Sequence, residues 1–165
     1  MLYQFCPCCG GRLTKTDSAA PQCQTCHYIF YQNSAPAFGA LIMNEQGQVL
    51  LAKRQHEPEQ GKWDLPGGFL DYGEEAEAAL KRELEEELNI TAVKYELLDS
   101  EIGDYVFQGR EFKTLNLFYL VTEYQGTIVA KDDVASVYWF DKQNIPTSGW
   151  AFNWISKVIT RWQNS

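Results

Sequence analysis

The sequence predicts an α+β fold, a mixed sheet packed between helices, preceded by a small module built on cysteine. Three observations carry that expectation. From Ala35 to Phe140, short apolar and aromatic runs recur between turn residues, as strands do. One strongly amphipathic helix interrupts them, with Leu80, Leu84 and Leu88 at i, i+4 spacing. All five cysteines fall within the first 26 residues. At 165 residues the chain accommodates one ordinary domain plus a small appendage, and its 45% hydrophobic content is enough for a packed core.

The elements follow in order. Cys6-Pro-Cys-Cys9 and Cys23-Gln-Thr-Cys26 form two CxxC pairs. The spacing suits a tetrahedral zinc site with four cysteine ligands, each pair on a tight turn with a hairpin between. A disulfide framework fits less well, because the count is odd and no secretion signal precedes it. A redox CxxC would occur once, beside a strand–helix unit. Cys8 is left over, and four well-spaced thiols make His27 unnecessary as a ligand. The first domain is therefore taken as residues 1–32, a zinc ribbon in which the metal supplies folding free energy. Arg12 and Lys15 are its only basic residues, a thin footprint for nucleic acid, so structural support or a dimer contact is its expected role.

The second domain is expected over residues 35–165. Ala35–Met43 and Gln48–Arg54 read as strands joined by the turn sequence Asn44-Glu-Gln-Gly47, and His56–Lys62 as a polar loop. Trp63–Phe69 reads as a short strand ending in a Pro-Gly-Gly turn. Beyond the helix, Thr91–Ile102, Glu111–Tyr124 and Ser136–Phe140 are strand-like. Trp150–Trp162 has helical spacing, its aromatic stripe suited to packing on a core. No membrane span or signal pattern is read, and cytoplasmic placement is the default expectation. The net charge of −8 speaks against broad nucleic-acid contact but not against small phosphorylated substrates, since bound cations reverse a local field.

The central helix carries the chemistry. Seven glutamates lie between positions 74 and 87, and Glu83, Glu86 and Glu87 share one face. A Glu-rich helix is usually a solvated face. Here the acids border the leucine stripe and follow a glycine turn that permits close backbone approach. Like charges at i, i+3 and i+4 repel, so the cluster calls for a cation, and hard oxygen donors suit Mg2+ or Mn2+.

These residues carry a resemblance. Gly68, then Glu74, then Arg82-Glu83-Leu84-Glu85-Glu86-Glu87-Leu88-Asn89-Ile90 is similar to the signature of the Nudix hydrolases. One fixed position departs, Asn89 standing where the family has glycine. Asparagine tolerates the left-handed conformation of a helix C-terminus, so the departure touches the cap more than the chemistry. The resemblance implies an αβα sandwich and metal-dependent hydrolysis of a phosphoanhydride in a nucleoside diphosphate linked to another group. It also implies Glu83, Glu86 and Glu87 as metal ligands, a carbonyl from Gly68, and a structural Glu74–Arg82 pair.

One of the glutamates, or a loop acid, would act as base. Asp133 is the loop candidate, with Asp132, Glu111 and Glu123 as rivals and His56 read as a solvated side chain. A zinc ribbon ahead of such a domain also resembles the layout of NADH pyrophosphatases, with Tyr31–Ala37 as the joining segment. Asp99–Lys113, however, lacks the Gln- and Pro-rich motif of that group. An ADP-ribose or dinucleotide-like substrate is favoured, with Phe38, Arg54 and Phe152 as candidate contacts and Tyr105 and Phe107 as further ones. The alternatives are a sensing module without catalysis and an RNA 5′-end pyrophosphohydrolase.

Overall fold

A computed structural model describes residues 3–14 and 20–165 of the chain, so Lys15 lies outside the described residues. Contacts divide it into two compact units, residues 1–34 and 35–165.

In the first unit, β1 (Leu13–Thr14) pairs antiparallel with β2 (Gln22–Cys23). Each CxxC pair sits on a tight turn, closed by Gly10 N–H to the Cys6 carbonyl (2.9 Å) and His27 N–H to the Cys23 carbonyl (3.1 Å). Among the described residues its apolar core is Cys6, Leu13 and Cys23, with Phe30 packed against them. So few apolar groups cannot offset the entropy of ordering the segment, so its stability must come from elsewhere.

The second unit is a six-stranded mixed sheet. Strand β3 (Ala35–Met43) turns through Asn44–Gln48 into β4 (Val49–Arg54), and the two pair only at Ile42–Leu50 and Met43–Val49. The strands then diverge. β5 (Trp63–Asp64) fills the gap against Ala52 and Lys53, and Pro66–Gly68 crosses to β3, where Phe38 N–H and Ala40 N–H reach the Gly68 and Pro66 carbonyls. Helix α1 (Ala76–Leu88) follows. Strand β6 (Ile90–Phe107) then forms a long antiparallel hairpin with β7 (Arg110–Gly126), and β7 lies parallel to β3 from Thr114 to Val121. Strand β8 (Val134–Phe140) pairs antiparallel with the other edge of β4, and α2 (Asn153–Gln163) closes the chain.

Both faces of the sheet are covered, which explains why β3 and β4 are continuously apolar. Phe38, Ala40, Ile42, Leu50 and Ala52 point to α1, where Leu80, Leu84 and Leu88 have no exposed surface. Leu41, Val49 and Leu51 point the other way, to Trp154, Ile155, Val158 and Trp162 of α2. The expected αβα arrangement is the observed one. Replacing Leu84, which is fully buried at the middle of the stripe, with alanine is expected to cost about 2–5 kcal/mol, read as a lower denaturant midpoint.

Several element boundaries differ from the sequence expectation. The hairpin extends beyond Ile102 and Glu111 to its tip at Phe107 and Arg110, held by ladder bonds where few side chains are buried. Strand β8 starts at Val134, two residues before Ser136. Helix α2 starts at Asn153, after Trp150: the Gly149 carbonyl and Ala151 N–H are bonded to the backbone of Trp63, which holds that stretch out of the helix. Asn89 ends α1 in the left-handed conformation, φ 58° and ψ 37°, as its sequence position suggested.

Candidate functional site

The divergence of β3 from β4 makes room for the site. Gly67, at φ 144°, takes a conformation that L side chains rarely adopt, and a Cβ there would collide with the Phe38 carbonyl. A side chain at Gly68 would run into the Glu83 carboxylate. The turn can therefore lie flat between β3 and the acid face of α1. Gly67 N–H donates to Glu87 Oε2 at 2.8 Å, while the Gly68 carbonyl takes the N–H of Phe38.

The three helix glutamates have different surroundings. Glu87 is 4% exposed. Burial, opposed only by the Gly67 N–H, pushes its carboxyl up to about 9, and Glu83, Asp64 and Asp133 push it in the same direction. Glu83 is half-buried; burial raises it, while Arg82 at 3.0 Å pulls it down. Glu86 is exposed and 3.3 Å from Arg82. Arg82 also grips Glu74 through two bonds, 2.9 and 2.8 Å, and reaches the Phe69 carbonyl at 3.3 Å. Its guanidinium thus ties the loop before the helix to the helix, and holds the Glu74 carboxyl down at about 2. The glutamates are thus divided between Arg82 and Gly67 and do not gather around one point.

Beside Glu87 lies a recess of about 30 Å3, lined also by Asp64, Gly67 and Asp133. It shares Arg54, Asp64, Gly67 and Asp133 with a larger cleft of about 140 Å3. Asp64 was not singled out in the sequence. The available signal was an acid inside an apolar strand, immediately before the glycine turn. Its Oδ2 pairs with Arg54 Nη1 at 2.7 Å, and burial raises its carboxyl against that pull. Arg54 also donates to the Pro58 carbonyl at 2.7 Å and lies 5.4 Å from the Phe152 ring. Of the residues singled out earlier, Phe38, Arg54, Gly68, Tyr105, Asp133 and Phe152 border the cleft. His56, Phe107, Glu111, Glu123 and Asp132 line neither space, and all five are exposed. Thr114 and Asn116, buried polar residues of β7 that the sequence did not mark, line the cleft as well.

In the first unit, Cys6, Cys9, Cys23 and Cys26 bring their sulfurs within 4.8 Å of one another. Among the described residues no other set of three or more such side chains converges this closely. Cys8 stands outside the set, and its N–H donates to Cys6 Sγ at 3.4 Å. Gly11 and Thr25 make the corresponding bonds to Cys9 and Cys23, also at 3.4 Å. Amides aimed at sulfur favour thiolate, and the Cys26 and Thr25 amides draw the Cys23 thiol down to about 6. A four-sulfur set of this kind fits a metal ion, with no position left for water. The acid recess fits one on other grounds: the Glu87 carboxyl, raised by burial and by neighbouring acids, would be relieved by a cation.

Comparison with known proteins agrees with this geometry. The family profile described as NUDIX domain matches residues 33–162. The chain is 30% identical over 139 residues to an ADP-ribose pyrophosphatase of Methanocaldococcus jannaschii, covering 83% of this chain and 79% of that protein. It is 27% identical to the NAD-capped RNA hydrolase NudC of Vibrio atlanticus, over 87% of this chain but only 51% of the relative, so it spans about half of that protein's length. The crystal structure of a NUDIX hydrolase from Nitrosomonas europaea superposes with a TM-score of 0.68 at 26% identity, covering 98% of this chain and 91% of the other. Among the described residues no helix is long and apolar enough to cross a membrane. With the signature helix, the glycine turn and the two-faced sheet in place, the chain belongs to the NUDIX hydrolase family, which uses divalent metals to act on small nucleotide substrates.

Proposed function

We propose that the protein hydrolyses the phosphoanhydride of a nucleoside diphosphate joined to a second group, with ADP-ribose or a dinucleotide-like compound as the favoured substrate. The observation that carries this reading is the continuity of the acid recess at Glu87 with the aromatic cleft beside Arg54 and Phe152. A diphosphate would sit where the acids are, and its nucleoside would extend into the cleft. Similarity to an archaeal ADP-ribose pyrophosphatase over most of both chains supports the substrate class.

Glu83, Glu86, Glu87 and the Gly68 carbonyl would hold Mg2+ or Mn2+, and Cys6, Cys9, Cys23 and Cys26 a structural Zn2+. The divalent cation, when bound, neutralises phosphate charge and lowers the pKa of water. The chain's own residues do the rest. Arg82 fixes the glycine turn against α1, so that the acids meet the diphosphate at a set distance. Asp133, at the rim of the recess, accepts a proton from the attacking water. That oxygen forms a bond to phosphorus as the bridging P–O bond breaks, and two phosphate products leave.

A hydrolysis screen over nucleoside diphosphate derivatives with Mg2+ or Mn2+ tests the reading, with Glu86→Gln as control. ADP-ribose-like compounds are expected to be turned over, and the control to be slower by roughly 10²-fold or more, as for loss of one electrostatic group at a reacting phosphate. An inert wild type, or an equally active control, would sink the proposal.

A further inference from the structure

Thr114, Asn116 and Phe118 follow one another at period two along the face of β7 that turns toward α2, and all three line the cleft. Asn116 is 7% exposed and Thr114 1%. The Asn116 amide nitrogen donates to the Glu101 carbonyl at 3.1 Å and to Thr114 Oγ1 at 2.9 Å. A backbone carbonyl can only accept, so the amide cannot be turned over without losing that bond. Its Oδ1 is thus a fixed acceptor with no partner among the described residues. Among the described residues, no fully buried side-chain polar atom lacks a partner. Oδ1 therefore reaches open space, and the space that Asn116 borders is the cleft. Thr114, having accepted one hydrogen, keeps another to donate. Phe38, Phe118, Trp154 and Ile155 make the surrounding wall apolar. An acceptor set among such apolar neighbours discriminates sharply, because a ligand without the matching N–H leaves it desolvated and unpaired.

We propose that Asn116 reads the nucleobase of the substrate, accepting a hydrogen from the exocyclic amine of adenine while Thr114 donates to the ring nitrogen beside it. The inference rests on the nucleotide-hydrolase reading above and narrows it to adenine nucleotides. Guanine and hypoxanthine carry a carbonyl oxygen where adenine carries the amine, and that oxygen would oppose Oδ1.

The test needs no turnover. Calorimetric titration of the full chain with AMP and with IMP, in Mg2+, compares two ligands that differ at this edge of the base. Wild type is expected to bind AMP about tenfold or more tightly than IMP. Asn116→Leu should bring the two within about twofold, a loss of the same hydrogen bond. Thr114→Val, a smaller change, should also weaken AMP more than IMP. Equal binding of both by wild type, binding of neither, or an unchanged preference in both variants overturns the inference. A merely structural Asn116 would lower thermal stability and leave the ratio alone. Turnover separates the two claims: a chain that prefers AMP yet hydrolyses nothing removes the proposed reaction and keeps the base reading, and active hydrolysis with no such preference does the reverse.

Discussion

Glu87→Gln is expected to stabilise the metal-stripped protein at alkaline pH while slowing hydrolysis by orders of magnitude. The sign follows from burial. In the folded chain the Glu87 carboxyl is pushed from its ordinary 4.5 up to about 9, because the charged form has lost its water and meets other acids. Between those values the folded state holds a proton that the unfolded chain has released. Stability must then fall as pH rises through that window, by at most about 1.4 kcal/mol per pH unit for this one group. Glutamine keeps the shape and can still accept from the Gly67 N–H, but it carries no charge to be desolvated. Denaturant unfolding of the chelated protein at pH 5, 7 and 9 should show a wild-type midpoint that declines and a variant midpoint that declines less. Parallel curves would rule out Glu87 as the cause.

Glu74 behaves oppositely. Arg82 holds it at about 2, so its contribution is present above 4.5 and is lost only as pH falls toward 2. The two ends of one signature thus destabilise the fold at opposite ends of the pH scale. The catalytic prediction is the larger of the two for Glu87→Gln: activity with Mg2+ should fall by roughly 10²–10³-fold, because the variant loses one anionic ligand of the proposed cation, whose charge is what stabilises the reacting phosphate.

What the sequence revealed depended on whether a side chain's role was local. The leucine stripe of α1 and the glycine turn before it are written in consecutive residues, and both were legible. So was the left-handed cap at Asn89, because asparagine has a reason to stand there. β3 and β4 were legible because both faces of the sheet are covered, which makes their apolar runs continuous. The tip of the β6–β7 hairpin was not, since its residues bury little and leave no periodic trace. Asp64 and Asn116 escaped for a different reason. An acid on β5 has meaning only once pairing with Ala52 brings it within reach of Arg54, two residues along β4, and an amide on β7 only once the Glu101 carbonyl orients it. Both facts belong to strand register, which the sequence does not state. The three helix glutamates were legible from spacing alone, but that Asp64 and Asp133 line the recess beside Glu87 depends on how the chain folds back on α1.

Cys23→Ser is expected to unfold the first unit and to leave the second unit's sheet intact. Cys23 is 1% exposed and belongs both to the sulfur set and to the small core with Cys6 and Leu13. It also fixes β2, where it pairs with Leu13. Among the described residues the unit's apolar core is only Cys6, Leu13, Cys23 and Phe30, whereas a structural Zn2+ in a peptide of this size is worth on the order of 10–16 kcal/mol of apparent binding. Serine offers a hydroxyl that does not ionise near neutral pH and binds zinc poorly, so the loss should be nearly complete. The second unit has its own two-sided core about α1 and α2 and should keep its protection. Hydrogen exchange of the full chain should then show fast amides at Cys6, Leu13 and Cys23 and slow ones along β3 and β7. Metal analysis should find about one equivalent of zinc in wild type and little in the variant. Cys8→Ser serves as the contrast, because Cys8 lies outside the sulfur set and only its backbone N–H takes part. Full zinc content with unchanged exchange in Cys23→Ser would show that Cys23 is not a zinc ligand, and that this unit does not depend on the four-sulfur set for its stability.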